Sequence, residues 1–149
     1  KLQTGKLVTD ALVSGEVELG TIVDTNITFL SFQPHPVRVV RTLGVRTDEG
    51  LWFRTASGIK TPADLRGKRI GYAPATTSHL FLSRFLDHAG LRWNEVSPVP
   101  LQPTAVQSAL AGGIVDGVAT WDPWGTNIRR EQGDRVDSFR NHEGLYPSR

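Results

Sequence analysis

The amino-acid sequence predicts an α/β fold built on a parallel sheet. Short apolar runs with strand character alternate along the chain with runs of helical spacing. The connections between them are short, and glycine often follows a predicted helix. Strands and helices that alternate on short connections favour parallel strands with helices packed against the sheet.

Six apolar runs predict the strands, because they are rich in β-branched or aromatic residues and are bounded by turn-forming residues. These runs are residues 17–23, 37–43, 51–55, 70–73, 96–101 and 115–121. In parallel sheets ligands bind beyond the carboxyl ends of the strands. Three such ends are candidates here, at residues 22–25, 73–79 and 120–124.

The first two helices are predicted from spacing and from their end signals. Apolar residues in the stretch 8–12 have helical spacing, and Gly15 is a natural stop. Asp24 or Thr25 then caps a second helix, which runs to residue 32 and is ended by prolines.

The later helices carry clearer signals. Residues 61–64 form a capping box with Pro at the first helical position, which predicts a short helix that ends near residue 67. A longer helix through residues 80–86 ends at Gly90, and another at 106–110 ends at a glycine pair. Residues 122–124, Asp-Pro-Trp, predict the cap and first turn of the last helix.

Composition permits a folded core and excludes several classes of function. The 149 residues are 38% hydrophobic and 21% charged, as in an ordinary globular domain. The 17 Lys and Arg residues are scattered among 15 Asp and Glu residues, so no basic face favours nucleic acid. No apolar run approaches the roughly 20 residues of a membrane span. Cys is absent, which excludes disulfides and thiolate chemistry in this sequence.

Met is absent as well, and the chain opens at Lys1 within a segment that has the character of ordered structure. We therefore expect a fragment or a processed product. Removal of a signal peptide is one route to such a chain, but the missing start looks longer than a signal peptide.

The stretch 68–79 carries the main candidate site. A predicted strand ends near Ala73, and the next helix is preceded by three good N-cap residues, Thr76, Thr77 and Ser78. A strand that feeds directly into a helix leaves backbone N–H groups unpaired, where the helix dipole adds partial positive charge. With three hydroxyls these amides form a candidate anion site that needs no cationic side chain. The alternative is a helix that is simply well capped.

An internal echo suggests two similar lobes. The pattern Val-x-x-Ala-Leu-x-x-Gly-x-Val followed by an acidic residue occurs at residues 8–18 and again at 106–116, so that Val8 and Val106 are 98 residues apart. Each copy predicts a helix, a glycine stop and a strand. We interpret the echo as two α/β lobes around a shared cleft, although any helix–glycine–strand unit has a similar appearance.

The predicted division is a partial first lobe at residues 1–57 and a second lobe at 58–149, linked near the small residues of the stretch 55–59. Two lobes joined by a hinge suit capture of a ligand by closure. From about residue 134 the chain is polar and without periodicity, which predicts a loop or a segment whose partner is absent.

Several motifs resemble those of substrate-binding proteins of ABC importers. Residues 58–70 resemble the segment that leads into the second lobe of many such proteins. Residues 75–79 and 121–124 are more specific, since they resemble the Gly-Ser-Ser-Ala-His and Trp-Asp-Pro-Trp motifs of the aliphatic sulfonate, taurine and nitrate group. Residues 15–25 resemble the first-lobe motif of that group.

The resemblance implies a type II periplasmic-binding-protein fold, truncated here at both ends, in which an anion is held between two lobes. The sequence departs from the group's pattern at Thr21, where an aromatic residue is frequent, and at Val23, where Gly is frequent. It also departs at residues 26–27, where Pro-Pro is frequent. These departures concern the identity of the ligand more than the fold.

Seven residues are candidate ligand contacts: Thr76, Thr77, Ser78, His79, Trp121, Asp24 and Thr25. The three hydroxyls and their amides would bind a sulfonate, nitrate or carboxylate, and a neutral site of this kind releases its ligand readily. The histidine would lie near the cleft, and the tryptophan would pack on an alkyl chain. Asp24 and Thr25 would reach the ligand from the first lobe. Each has a structural alternative: helix capping, a solvated helical position for the histidine, or core packing for the tryptophan.

Other conspicuous residues are predicted to be structural. Asp122 is expected to cap a helix, because its charge would repel an anion. Trp52, Trp93 and Trp124 are expected to pack in the core or lie at the surface. The four histidines lack the spacing of metal ligands, and no nucleophile elbow or phosphate loop is present.

The sequence thus predicts a binding protein, not an enzyme, that needs no cofactor or metal. It would lie in the periplasm or be anchored to the membrane as an extracytoplasmic lipoprotein. It would deliver a small anion, above all an aliphatic sulfonate, with taurine and nitrate as related ligands, to the membrane permease of an ABC importer. The alternatives are a binder of a thiamine-pyrimidine precursor or other aromatic, a sulfinate desulfinase-like enzyme, and the sensing lobe of a regulator. Exposed sheet edges could also cause the chain to self-associate.

Overall fold

The computed structural model describes residues 4–32, 34–44 and 48–140. A five-stranded mixed sheet forms its centre. The strands are β1 (Gly50–Arg54), β2 (Arg69–Tyr72), β3 (Ser97–Pro100), β4 (Gly117–Thr120) and β5 (Val136–Arg140). They lie in the order β3-β2-β4-β1-β5, in which β1 is antiparallel to both of its neighbours and the other four strands run in one direction. The predicted α/β class is confirmed.

In the described part of the chain five α-helices accompany the strands: α1 (Gly5–Ser14), α2 (Asp24–Leu30), α3 (Thr77–His88), α4 (Val106–Ala111) and α5 (Trp124–Gln132). Short 3₁₀ turns lie at Thr55–Ser57, Pro62–Leu65, Trp93–Glu95, Pro103–Ala105 and Gly133–Arg135. The predicted glycine stop of α1 is confirmed, because Gly15 has a φ of 76° and its N–H bonds back to the helix. The predicted capping box is present between Thr61 and Asp64, although the turn that it starts is a 3₁₀ helix.

Each face of the sheet carries its own core, because successive side chains of a strand point to opposite faces. On β1, Leu51 and Phe53 belong to one core, together with buried residues of α3. Trp52 faces the other side and packs in a second core with residues of α4 and α5. Trp93 and Trp124 are partly buried against these cores, as expected from the sequence.

Two of the predicted strands, at residues 17–23 and 37–43, are wrong. The structure has no strand at either stretch. A strand is stable only when its backbone groups pair with a neighbour, and no described strand lies beside them. Their apolar side chains are consequently exposed: Val40 is 82% exposed and Leu19 is 79% exposed.

The prediction of a loop from about residue 134 is wrong for the part of the tail that the structure describes. Residues Val136–Arg140 form β5, which pairs with β1 from Arg54↔Val136 to Gly50↔Arg140. Residues 141–149 lie outside the described part of the chain. The pairing partner lies more than 80 residues earlier in the chain, so the local pattern carried no sign of it.

The sheet contains strands from both sides of the lobe boundary that was predicted at residue 57. β1 precedes this boundary in the chain, yet it pairs with β4 and β5, which follow it. The stretch predicted to be a flexible link has regular structure at its start and a buried residue at its end. It begins with a 3₁₀ turn and ends at Ile59, which is 4% exposed. Lys68 donates from Nζ to the carbonyl oxygen of Ser57 at 2.7 Å.

Candidate functional site

The turn between β2 and α3 is closed by two hydroxyl groups. The Ser78 hydroxyl accepts from the Ala73 N–H at 3.0 Å, and the Thr76 hydroxyl donates to the Ala73 carbonyl at 2.7 Å. The two hydroxyl oxygens are 3.1 Å apart. Ala75, directly before Thr76, adopts a φ of 55°, a left-handed conformation that is unfavourable for a residue with a Cβ.

Because the hydroxyls close the turn, they do not cap α3. Thr76 is the N-cap residue, but its side chain makes no capping hydrogen bond. The first amides bonded within the helix are those of His79 and Leu80, which donate to the Thr76 carbonyl. Within the described part of the chain, the amides of Thr77 and Ser78 have no acceptor. Unpaired N–H groups at the start of a twelve-residue helix favour a negatively charged group.

A small cavity of about 230 Å³ lies against this turn. Its lining residues are Thr4, Lys6, Ala73, Pro74, Ala75, Thr76, Leu101, Gln102 and Pro103. The described lining contains no carboxylate. Thr4 is the N-cap of α1 and accepts from the Leu7 N–H at 3.3 Å, so the starts of both α1 and α3 lie at the same cavity. Two positive helix ends beside one cavity raise its preference for an anion.

Sequence reasoning missed Thr4, Lys6, Gln102 and Pro103. A signal for two of them was present in the internal echo, because Thr4 and Gln102 are 98 residues apart and occupy corresponding positions in its two copies. Both lie just before the echoed helix, and both line the small cavity. Lys6 adds the cationic side chain of the described lining and forms an exposed ion pair with Asp10 at 2.6 Å.

A larger groove of about 1260 Å³ runs between residues 12–44 and the start of α3, where Thr77 and Leu80 line it. Asp24 and Thr25 line it too, from the opposite wall. Their side chains are engaged locally, since Asp24 Oδ1 accepts from the Thr25 N–H at 2.7 Å. Thr76 thus lines the small cavity, and the next residue, Thr77, lines the groove.

The structure separates the other predicted contacts from these two openings. Ser78 is fully buried, and its hydroxyl is occupied by Ala73. The His79 ring packs against the rings of Tyr72 and Trp93, with ring centres at 4.9 and 5.3 Å. Its Nδ1 accepts from the Ala75 N–H at 3.3 Å, and burial lowers the pKa of its imidazole.

Trp121 is half-buried just beyond β4 and lines neither opening. The next residue, Asp122, accepts from the N–H and the hydroxyl of Thr126 at 2.9 and 2.8 Å. Asp122 was predicted to be the N-cap residue of the last helix, but Pro123 holds that position. The Asp122 carboxylate, one residue earlier, still accepts from an amide of the first turn of α5. Within the described residues there is no cluster of His, Cys, Asp or Glu that could hold a metal ion. No helix in that part of the chain is long and apolar enough to cross a bilayer.

Comparison with known proteins gives the family. Residues 2–146 match the family described as NMT1/THI5 like. The chain belongs to the NMT1/THI5-like family. Among its relatives, the taurine-binding periplasmic protein of Escherichia coli is 31% identical over 123 residues, which are 83% of this chain and 38% of that protein.

Solved structures of similar proteins share the fold. The alkanesulfonate-binding protein of Xanthomonas axonopodis pv. citri bound to MOPS has a TM-score of 0.78 and 29% identity, and the match covers 96% of this chain and 49% of that chain. The periplasmic aliphatic sulphonate-binding protein of E. coli has a TM-score of 0.73 and 27% identity, over 92% of this chain and 47% of that chain. The present chain therefore spans half or less of the length of these proteins. The predicted resemblance to sulfonate- and taurine-binding proteins is confirmed.

Proposed function

We propose that this NMT1/THI5-like chain is the anion-binding part of an extracytoplasmic solute-binding protein, and that its ligand is a small aliphatic sulfonate such as taurine. The named relatives are a periplasmic taurine-binding protein, a periplasmic aliphatic sulphonate-binding protein and an alkanesulfonate-binding protein. A binding protein of this kind would pass its ligand to the permease of an ABC importer, and no catalytic role is proposed.

One observation carries the proposal. Within the described residues, the start of α3 holds two amides without an acceptor, on Thr77 and Ser78. Thr76, which directly precedes them, lines a cavity without a carboxylate in its described lining. A sulfonate offers three oxygens that accept hydrogen bonds from such amides. The Pro74 and Leu101 side chains would contact the alkyl part of the ligand. A cavity of about 230 Å³ suits a small ligand.

The remaining predicted contacts have different roles in this proposal. Thr77 would contact the anion directly, and Thr76 would line the site. The hydroxyls of Thr76 and Ser78 would hold the turn. Asp24 and Thr25 would wall the larger groove. We further propose that the lobe boundary lies before Gly50, since β1 belongs to the central sheet, and that residues 4–44 belong to the first lobe. Closure of that lobe would bring α1 against the ligand.

Titration calorimetry on the intact protein tests the proposal. Taurine and ethanesulfonate should bind and release measurable heat, whereas ethanolamine, which lacks the sulfonate, should not. Nitrate and an aminopyrimidine extend the series to the related anion and to the aromatic alternative. Binding of the pyrimidine without binding of any sulfonate would overturn the assignment.

Two variants of Thr77 separate its amide from its hydroxyl. Thr77 is the first helical residue of α3, a position that tolerates Pro. Thr77→Pro removes the amide donor, and we expect affinity to fall about ten-fold or more, because a hydrogen bond to a charged group is lost. Thr77→Ala keeps the amide and removes only the hydroxyl. Wild-type affinity in Thr77→Pro, with the fold intact by circular dichroism, would refute the amide site.

A further inference from the structure

The turn that presents the proposed anion site depends on His79. Ala75 lies at the centre of that turn with a φ of 55°, where a residue with a Cβ needs a compensating contact. Its N–H donates at 3.3 Å to Nδ1 of His79, which lies in the first turn of α3. Since Nδ1 accepts this hydrogen bond, the proton of the neutral ring lies on Nε2.

The imidazole is held in place by two aromatic rings from other elements. Tyr72 at the end of β2 lies 4.9 Å from it, and Trp93 in a 3₁₀ turn lies 5.3 Å from it. These two rings also contact each other edge to face at 5.2 Å. Neither a phenol nor an indole is charged at neutral pH. Within the described residues no charged group forms an ion pair with His79, and burial alone lowers the pKa of the imidazole below its ordinary value of 6.5.

We propose that His79 is a positioning residue whose neutral imidazole holds the Ala75 turn in its binding conformation, so that affinity for the anion falls when His79 is protonated. A protonated Nδ1 carries a hydrogen and can no longer accept from the Ala75 N–H. The turn then loses the contact that offsets its left-handed residue. This inference rests on the proposed function. The predicted change in affinity is opposite to a simple electrostatic effect, because a positively charged histidine that touched the ligand would increase the affinity for an anion.

The pH dependence of ethanesulfonate binding tests the proposal, because this ligand has no group that titrates near neutral pH. Calorimetry on the intact protein from about pH 8 to about pH 5 covers the range in which histidine titrates. We expect the affinity to fall about five-fold or more towards the acid end, as for the loss of one hydrogen bond. An affinity that rises or stays constant towards acid pH would overturn the proposal.

Three variants assign the effect to this histidine. His79→Asn places a carbonyl oxygen near the former Nδ1 position without a titrating group, and its affinity should vary little with pH. Ala75→Gly removes the unfavourable contact of the Cβ, so its affinity should fall less at acid pH. His88→Asn is the matched control, because His88 is exposed on the last turn of the same helix, and it should keep the wild-type profile. A full wild-type profile in His79→Asn would refute the role of His79.

The ligand-free protein provides a readout that does not require sulfonate binding. If wild-type protein binds no sulfonate at about pH 8, the proposed function fails, and the turn is then tested through the Ala75 amide by nuclear magnetic resonance. Exchange of the Ala75 amide hydrogen should accelerate, relative to the intrinsic rate, with the same midpoint at which the His79 ring titrates. An Ala75 amide that does not respond to the protonation of His79 would overturn the positioning role.

Discussion

The carboxylate of Asp116 joins three strands at the edge of the sheet opposite the candidate site. It accepts from the Arg69 N–H at 3.0 Å and from the Arg69 side chain at 2.9 and 3.2 Å. Arg54 at the end of β1 donates to it at 3.0 Å. These contacts, above all those from the Arg69 side chain, lower the pKa of Asp116 from 3.8 to about 2. We predict that Asp116→Asn destabilises the protein at neutral pH.

The size of the effect follows from the pKa difference. A carboxyl group whose pKa falls from 3.8 to about 2 on folding corresponds to about 2.4 kcal/mol if it is fully shielded from water. The side chain is 18% exposed and solvent screens its partners, so we expect a contribution between about 1 and 2 kcal/mol. Because the folded pKa is the lower one, the contribution is present above the unfolded value of 3.8 and is lost as the pH falls to about 2.

Urea unfolding, followed by tryptophan fluorescence, measures this contribution. The free energies of unfolding of wild type and Asp116→Asn should differ at neutral pH, and the difference should shrink towards about pH 2. Asp87→Asn, an exposed carboxylate on α3, is the control and should change stability by less than about 0.5 kcal/mol. A difference between wild type and Asp116→Asn that is constant with pH would refute the reasoning.

Two further predictions concern buried contacts. Ser78→Ala should lower the free energy of unfolding by about 1 to 3 kcal/mol, because the Ala73 N–H would lose its acceptor in a buried site. Ser108→Ala, which removes an exposed hydroxyl on α4, is the control. If urea unfolding gave the same loss of stability for both variants, the prediction would be contradicted. Gly125→Ala should destabilise by about 1 to 3 kcal/mol, because the new Cβ would lie 2.0 to 2.6 Å from the ring of Trp52; an unchanged melting temperature by calorimetry would show that the ring moves without cost.

Much of the candidate site could be predicted from local sequence. The start of α3 after a short strand and the hydroxyls before it are visible within about ten residues, because helix capping depends on neighbours along the chain. What each hydroxyl does was decided by the fold. The Ser78 hydroxyl accepts from the Ala73 amide, and His79 packs against Tyr72 and Trp93. Trp93 lies 14 residues further along the chain than His79.

The sequence by itself determined the α/β class and the approximate positions of the helices, because helical spacing and capping are local properties. Only the tertiary structure decided which apolar runs become strands. Residues 17–23 and 37–43 have the composition of strands but no described neighbour to pair with, whereas the polar stretch Val136–Arg140 becomes a strand at the free edge of β1. A strand is stabilised by backbone groups far away in the chain, so its formation depends on what the fold places beside it.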